Sequence, residues 1–305
     1  MVSLITVNYN EMDETIAMVK SVGRYDDKHL EIIVIDNGSK LNETNKIKNI
    51  FPKIKTIRSE KNLGFAGGNN LGIKESIGSY LFFINNDTIF IDGLKTIFQL
   101  KEVLKNNLNV AIVSPLIYFF DHPDTLQYAG FTLPNSYTGR NKNSYYKKKI
   151  KVSCRTEITG IPHGAAMMLK KSIIDEVGLM PENYFLYYEE VDWAIQIRKK
   201  GYEVLVDHSS RILHKESLST GKISGLKTYY LTRNRILFVR RNYKKINVFI
   251  FFLFFGLISI PTHVYKSIKN NQINNIPPFF KGIKWNFLNS SDQITTNKND
   301  NYAEI

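Results

Sequence analysis

Short apolar runs alternate with helix-spaced runs through the first ninety residues. Residues 2–7 (VSLITV) are apolar and β-branched, and 31–35 (EIIVI), 54–58 and 80–84 (YLFFI) repeat that texture. Between them, 15–22 and 69–77 carry apolar positions at helical spacing. Strands that lack polar alternation are covered on both faces. Such strands separated by helices predict an α/β fold built on a mostly parallel sheet flanked by helices. Further along, GAAMMLKKSIIDEVGLM (164–180) reads as a strand, a helix and a glycine turn. YYEEVDWAIQIRKKGY (187–202) reads as a helix stopped by Gly201, and EVLVDHSSRILHKES (203–217) as strand-like segments. The polar, aromatic and basic stretch 121–151 predicts loops or short strands facing a substrate.

One run in the C-terminal third stands apart. Residues 246–265 contain no Lys, Arg, Asp or Glu, a length at the threshold for spanning a bilayer. Arg240, Arg241, Lys244 and Lys245 precede it, Lys266 and Lys269 follow it, and Pro261 interrupts it. Basic residues on both flanks give no orientation. The pattern predicts a helix lying in a membrane interface, with a buried contact between domains or between two copies of a homodimer as the alternative. The expected division is therefore a catalytic unit over 1–241, an apolar and basic helical extension over 242–290, and a polar, disordered tail over 291–305.

The residues after the strands carry the candidate chemistry. Asn8-Tyr9-Asn10 follows the first, Asp36-Asn37-Gly38-Ser39 the second and Asn85-Asn86-Asp87-Thr88 the fourth. Ligands of open α/β sheets bind outside the carboxyl ends of the strands. A single polar strand end is a turn or a cap, whereas three together point to a ligand site. NLGFAGGNNLGI (62–73) adds four glycines that permit close backbone approach, but it matches neither a dinucleotide fingerprint nor a Walker loop. It reads as a loop closing over a nucleotide or as a plain tight turn.

The formal charge of +13 over 305 residues attracts polyanions. Its densest clusters lie at 140–155, 198–200 and 233–245, the last bordering the apolar run, which favours a membrane surface over nucleic acid. No nucleic-acid-binding signature is present. The single cysteine, Cys154, excludes an internal disulfide, and the N-terminal MVSLITVNYN reads as a strand rather than a signal peptide. A cytoplasmic protein, peripheral on the inner face of the plasma membrane, is expected.

SLITVNYN, IIVIDNGS, NLGFAGGNNLGI, FINNDT, GAAMMLKKSIIDEVGLM, YFLYYEEVDWAIQIRKKGY and ILHKESLS occur in that order between about residues 2 and 241. The ordered set resembles the family 2 inverting glycosyltransferases of GT-A fold, in particular the branch that contains rhamnosyltransferases. The resemblance implies a nucleoside diphosphate sugar as donor, a glycan or lipid-linked acceptor and a divalent metal, Mg²⁺ or Mn²⁺. It implies Asp87 as a metal ligand, with Asn85 standing where the family has the first carboxylate of a D-x-D motif. His214, 24 residues after Glu190, is implied as the second ligand. Asp36 is implied as acceptor of a pyrimidine N3–H, with Val7, Asn8 and Tyr9 lining the base pocket. Asn62, Gly64 and Asn69 would close over the nucleotide, beside Asn85 and Asn86.

The acidic stretch answers to the family's catalytic motif. Inverting transfer needs a carboxylate to take the acceptor hydroxyl's proton as it attacks. By resemblance Glu190 is that base, Glu189 binds acceptor hydroxyls or orients the loop, Asp192 supports it, and Arg198 pairs with one of the acids. The reading of the residues alone is an acidic helix start, which the macrodipole favours. Two rival functions remain: the same chemistry with a UDP-sugar such as UDP-galactofuranose, UDP-glucose or UDP-galactose, and a membrane-surface protein that binds nucleotide sugars or glycans without turnover.

Overall fold

A computed structural model describes residues 1–143, 145–149, 155–215 and 225–289. The tail expected to be disordered lies outside the described residues. The chain begins β1 (Val2–Asn8), α1 (Met12–Ser21), β2 (Leu30–Asn37), α2 (Thr44–Ile50), β3 (Lys55–Ser59), α3 (Gly64–Glu75), β4 (Tyr80–Ile84) and β5 (Thr88–Phe90). It continues α4 (Leu94–Asn106), β6 (Val110–Phe119), β7 (Leu126–Tyr128), β8 (Thr156–Ile158), β9 (Ala166–Lys170) and α5 (Ile173–Val177). It closes with α6 (Glu189–Lys199), β10 (Glu203–His214), α7 (Gly225–Asn242), α8 (Lys245–Phe254), α9 (Ile260–Lys269) and α10 (Ile276–Leu288).

The main path of the sheet runs β3-β2-β1-β4-β9-β6-β10-β5, with β7 added on β6 and β8 on β10. β3, β2, β1 and β4 are parallel, β9 is antiparallel to β4 and β6, and β10 runs parallel to β6. The α/β class and the GT-A-like architecture thus match the sequence expectation, with antiparallel β9 inserted at the centre. The chain winds outward from β1 to β3, then crosses back to place β4 on the other side of β1. This reversal opens the sheet's ligand crevice at the carboxyl ends of β1 and β4.

Alternate residues of each central strand enter opposite cores. Leu4, Val34, Phe82 and Met168 pack on the face covered by α1 and α4, while Ile5, Ile33, Phe83 and Met167 pack on the other with Trp193 of α6 and Ile236 of α7. Burying each such side chain contributes about 1.5–3 kcal/mol, so both layers are needed.

The glycine-rich stretch corrects the expectation of a loop. It forms α3 from Gly64 onward, and the helix starts five residues before the predicted 69. Its glycines bring the helix against β1: a Cβ on Gly68 would lie 2.9 Å from the Val7 methyls, and one on Gly72 2.4 Å from an Ile5 methyl. These glycines hold the helix close to the sheet.

The C-terminal helices fold back on the rest of the chain, with α10 packed along α7. Residues 245–269 form one continuous helix of 25 residues, with a mean hydropathy of 2.0 and only 17% burial over its most apolar window. It is long and apolar enough to cross a membrane by length and composition. Phe249, Leu253, Leu257 and Ile258 are exposed on it. A π-helical turn over Phe255–Ser259 precedes Pro261, whose missing N–H breaks the regular ladder.

Helix propensity and packing disagree about Gly72→Ala. Propensity alone would gain up to about 1 kcal/mol, whereas overpacking against Ile5 costs about 1–3 kcal/mol. We expect a net loss in urea unfolding; a gain would show that α3 can move off β1.

Candidate active site

The turn that precedes α6 sets the site. Phe185, Tyr187 and Tyr188 all have positive φ, at 64°, 69° and 77°, although none is glycine. Each left-handed non-glycine residue costs of order 1 kcal/mol and persists only where surroundings hold it. Helix α7 supplies the hold. The Asn234 amide donates to the carbonyls of Tyr184, Leu186 and Tyr187 at 3.0, 2.7 and 2.8 Å. The buried Arg233 guanidinium donates to the Asn183 and Tyr184 carbonyls and lies over the Tyr230 and Trp285 rings. Phe185 stacks on Tyr230, and the Tyr188 hydroxyl donates to the Gly139 carbonyl. From the other side the Phe65 N–H donates to the Phe185 carbonyl at 2.7 Å. That contact needs Gly64, since a Cβ there would lie 2.2 Å from the same oxygen.

The turn delivers Glu189 and Glu190 into a cleft of about 280 Å³. Asn85, Asp87 and His214 line it together with both glutamates, and Phe65, Gln127, His163, Gly164, Tyr187 and Lys227 complete its walls. Gly164 lies against Glu190: a Cβ there would sit 3.5 Å from the Glu190 carboxyl carbon, at ordinary contact distance. Burial raises the Glu190 pKa above the ordinary carboxylate range. Glu189 is raised well above it, by burial first and by the neighbouring Glu190 charge second. Its Oε2 has no hydrogen-bond partner.

Across the cleft, the β4 and β10 ends bring Asp87 and His214 together. His214 Nε2 lies 3.1 Å from Asp87 Oδ1 and 3.4 Å from the Asn85 amide nitrogen. Gln127 Oε1 accepts from His214 Nδ1 at 2.8 Å, which leaves the Nε2 lone pair toward the cleft. Asp87 Oδ1 is buried without a hydrogen bond. An imidazole lone pair facing an orphan carboxylate oxygen fits a divalent cation, with Gln127 fixing the ligating ring from behind. Among the described residues no group of three or more His, Cys, Asp or Glu side chains surrounds a metal position. A cation here would therefore draw further ligands from phosphate oxygens and water.

The other sequence-chosen residues separate from this cleft. Asp192 is fully buried and accepts from the Tyr184 hydroxyl, Arg241, Gln196 and Asn242, at 2.8–3.1 Å. It ties α6 to the end of α7 and the strained turn, which is a positioning task. Arg198 donates to the Thr159 carbonyl, so Arg241 takes the acid-pairing role expected of it. Asp36 is buried and occupied: it accepts from the Ser39 and Glu43 N–H groups and from Arg58 at 2.5 Å. These three bonds leave one of the carboxylate's about four acceptor sites, on Oδ1. Asn8 is spent on Thr15 and Glu43, and Asn69 donates back to the Phe65 carbonyl of its own helix. Asn62 caps the Gly64 N–H and accepts from Asn37. Asn86 donates to Thr15 and the Glu11 carbonyl. Val7 and Tyr9 remain partly exposed at the β1 end. Gln127, His163, Arg233 and Asn234 escape sequence reasoning because only the fold sets them beside the acids.

Glu189 gives a stability test. A carboxyl whose folded-state pKa is raised contributes stability that is complete below the unfolded pKa and is lost as pH rises through the folded one. Glu189→Gln removes the ionisation. The variant should match wild type below about pH 4 and become the more stable as pH rises above that. Between the ordinary carboxylate pKa and the raised one the gap should grow by about 1.4 kcal/mol per pH unit, and it should level off above the raised pKa. A gap that stays flat to about pH 9 in thermal unfolding would show that Glu189 has a normal pKa.

Comparisons with known proteins bear on the fold and the family. A crystal structure of GalNAc-T7 with UDP, GalNAc and Mn²⁺ superposes with a TM-score of 0.60 at 17% identity, covering 78% of this chain and 47% of that one. A dTDP-rhamnosyl transferase of Shigella flexneri is 22% identical over 268 residues, 83% of this chain and 85% of its own. An uncharacterized glycosyltransferase of Rickettsia felis is 38% identical over 108 residues, 35% of this chain but only 18% of the Rickettsia protein. The model of glycosyl transferase family 2 matches residues 3–178, more than half of the sequence, and the chain belongs to that family.

Proposed function

We propose that the protein is an inverting glycosyltransferase. It moves a sugar, L-rhamnose from dTDP-rhamnose, to a hydroxyl of a lipid-linked or polysaccharide acceptor in cell-surface glycan synthesis. The observation that carries this reading is one cleft with two chemically distinct ends. Asp87 and His214 form one end, and buried Glu189 with half-buried Glu190 forms the other. The sugar is favoured by the Shigella relative, which is a dTDP-rhamnosyl transferase across most of both chains.

Asp87 and His214 would hold Mg²⁺ or Mn²⁺, which when bound neutralises charge on the leaving diphosphate. Glu190 faces the same cleft and receives the acceptor hydroxyl's proton. The bond from acceptor oxygen to the anomeric carbon forms as the bond from that carbon to the diphosphate oxygen breaks. The raised pKa brings Glu190 closer to the operating pH, which suits a general base.

The apolar helix over 245–269 and the basic residues around it support a place at the cytoplasmic membrane surface. Its exposed Phe and Leu side chains would enter the acyl boundary, while Lys244, Lys245, Lys266 and Lys269 meet anionic headgroups.

Calorimetric titration with dTDP, UDP, GDP, dTDP-rhamnose and UDP-glucose, with Mn²⁺ and then with EDTA, tests the donor site. The expected result is Mn²⁺-dependent binding of a pyrimidine diphosphate, tightened by rhamnose. Tighter binding of a UDP-sugar would replace the donor and keep the reaction class. Absence of all nucleotide binding by the folded protein would overturn the proposal.

A further inference from the structure

His163 lies in the same cleft, and nothing above gives it a task. It follows the tight 160–162 segment and directly precedes Gly164, over which the Glu190 carboxyl sits. On its other side its ring meets the His214 ring edge-on, with centroids 6.0 Å apart. It therefore bridges the distance from the carboxylate end of the cleft to the Asp87–His214 end.

The ring cannot turn freely. It stacks on Phe131 at 5.8 Å with an interplanar angle of 18°, and it meets Tyr128 edge-on at 5.3 Å. The Tyr128 hydroxyl is itself tied to the Ile161 carbonyl. The backbone N–H of Ala165 donates to His163 Nδ1 at 3.1 Å. A backbone N–H can only donate, so Nδ1 carries the lone pair and the neutral ring holds its proton on Nε2. Among the described residues no protein acceptor takes that proton, and the residue lines the cleft. The fold thus presents one N–H donor of fixed tautomer and fixed ring plane.

We propose that His163 is a substrate-contacting residue whose Nε2–H donates to a hydroxyl oxygen of the sugar being transferred. The inference rests on the donor-site reading above. It follows from position: the anomeric carbon must lie between the general base and the leaving diphosphate, and His163 spans that interval. A rigid, uncharged donor suits a sugar hydroxyl, because it costs little reorganisation and leaves the charge balance of the cleft unchanged. It also discriminates, since a donor sugar without an oxygen at that place leaves the N–H unpaired.

The test compares the affinity for a nucleoside diphosphate with that for the matching nucleotide sugar. dTDP against dTDP-rhamnose, and UDP against UDP-glucose and UDP-galactofuranose, would be titrated with Mn²⁺ into wild type, His163→Phe and His163→Gln. Phe keeps the stacked ring and removes the N–H; Gln keeps an N–H and loses the ring. For the sugar that wild type prefers, His163→Phe should lower the gain in affinity due to the sugar by about ten-fold. Its binding of the bare diphosphate should stay within about two-fold of wild type, and His163→Gln should retain part of the gain. An unchanged sugar gain in His163→Phe would overturn the assignment. So would an equal loss for bare diphosphate and nucleotide sugar, which marks a packing role, or equal losses of the sugar gain in both variants. Wild-type protein that binds diphosphates with no gain from any sugar would overturn it and leave the donor site standing. Wild-type protein that binds no nucleotide would overturn the parent reading, and this one with it.

Discussion

Three left-handed residues that are not glycine cannot hold a turn by themselves. Phe185, Tyr187 and Tyr188 stay in that conformation because Asn234 and Arg233 take up the carbonyls between 183 and 187. Everything at the glutamate end of the cleft follows from this clamp. It sets where α6 begins, and so where Glu189 and Glu190 enter the cleft. It also explains why α7 is part of the enzyme rather than a tether. The same helix carries Arg241 and Asn242 to Asp192, so one element fixes both the turn and the helix that it starts. Gly64 docks α3 against the turn from the opposite side, linking the sheet's switch point to the acidic pair.

The two ends of the cleft are built from opposite electrostatic logic. At the Asp87–His214 end a lone pair meets an orphan carboxylate oxygen, an arrangement that attracts a cation. At the glutamate end, burial resists ionisation, which keeps proton affinity high. A displacement that expels a diphosphate and collects a proton needs both. The peripheral polar residues serve the scaffold: Asp36 with Arg58, Asn8 with Thr15, and Asn62 with Asn37 fasten the strand ends to one another.

The sheet was legible because its strands are unbroken apolar runs whose period cannot be mistaken for a solvent-facing helix. Asp87 and His214 were legible as strand-end residues within an ordered set of motifs. The glycine stretch was misread because glycine serves loops and close packing alike, and only the Val7 and Ile5 methyls reveal which. Asp192 reads as a support for the glutamates, and two residues along the helix from Glu190 it turns inward to four donors. His163, Gln127 and Asn234 carry no local signal, since their partners lie up to 87 residues away along the chain. The β6 strand at the sheet's centre is apolar apart from Ser114, but Pro115 in its middle disguises it as a loop.

The central claim is that Glu190 takes the acceptor's proton in a donor site assembled independently of it. The most direct measurement is the transfer rate of Glu190→Gln alongside its affinity for the nucleotide sugar. The account predicts transfer reduced by at least about 10²-fold, the usual scale for a lost general base, with donor affinity close to wild type. Transfer within a few-fold of wild type, with the donor still bound, would contradict it and move the proton to another group.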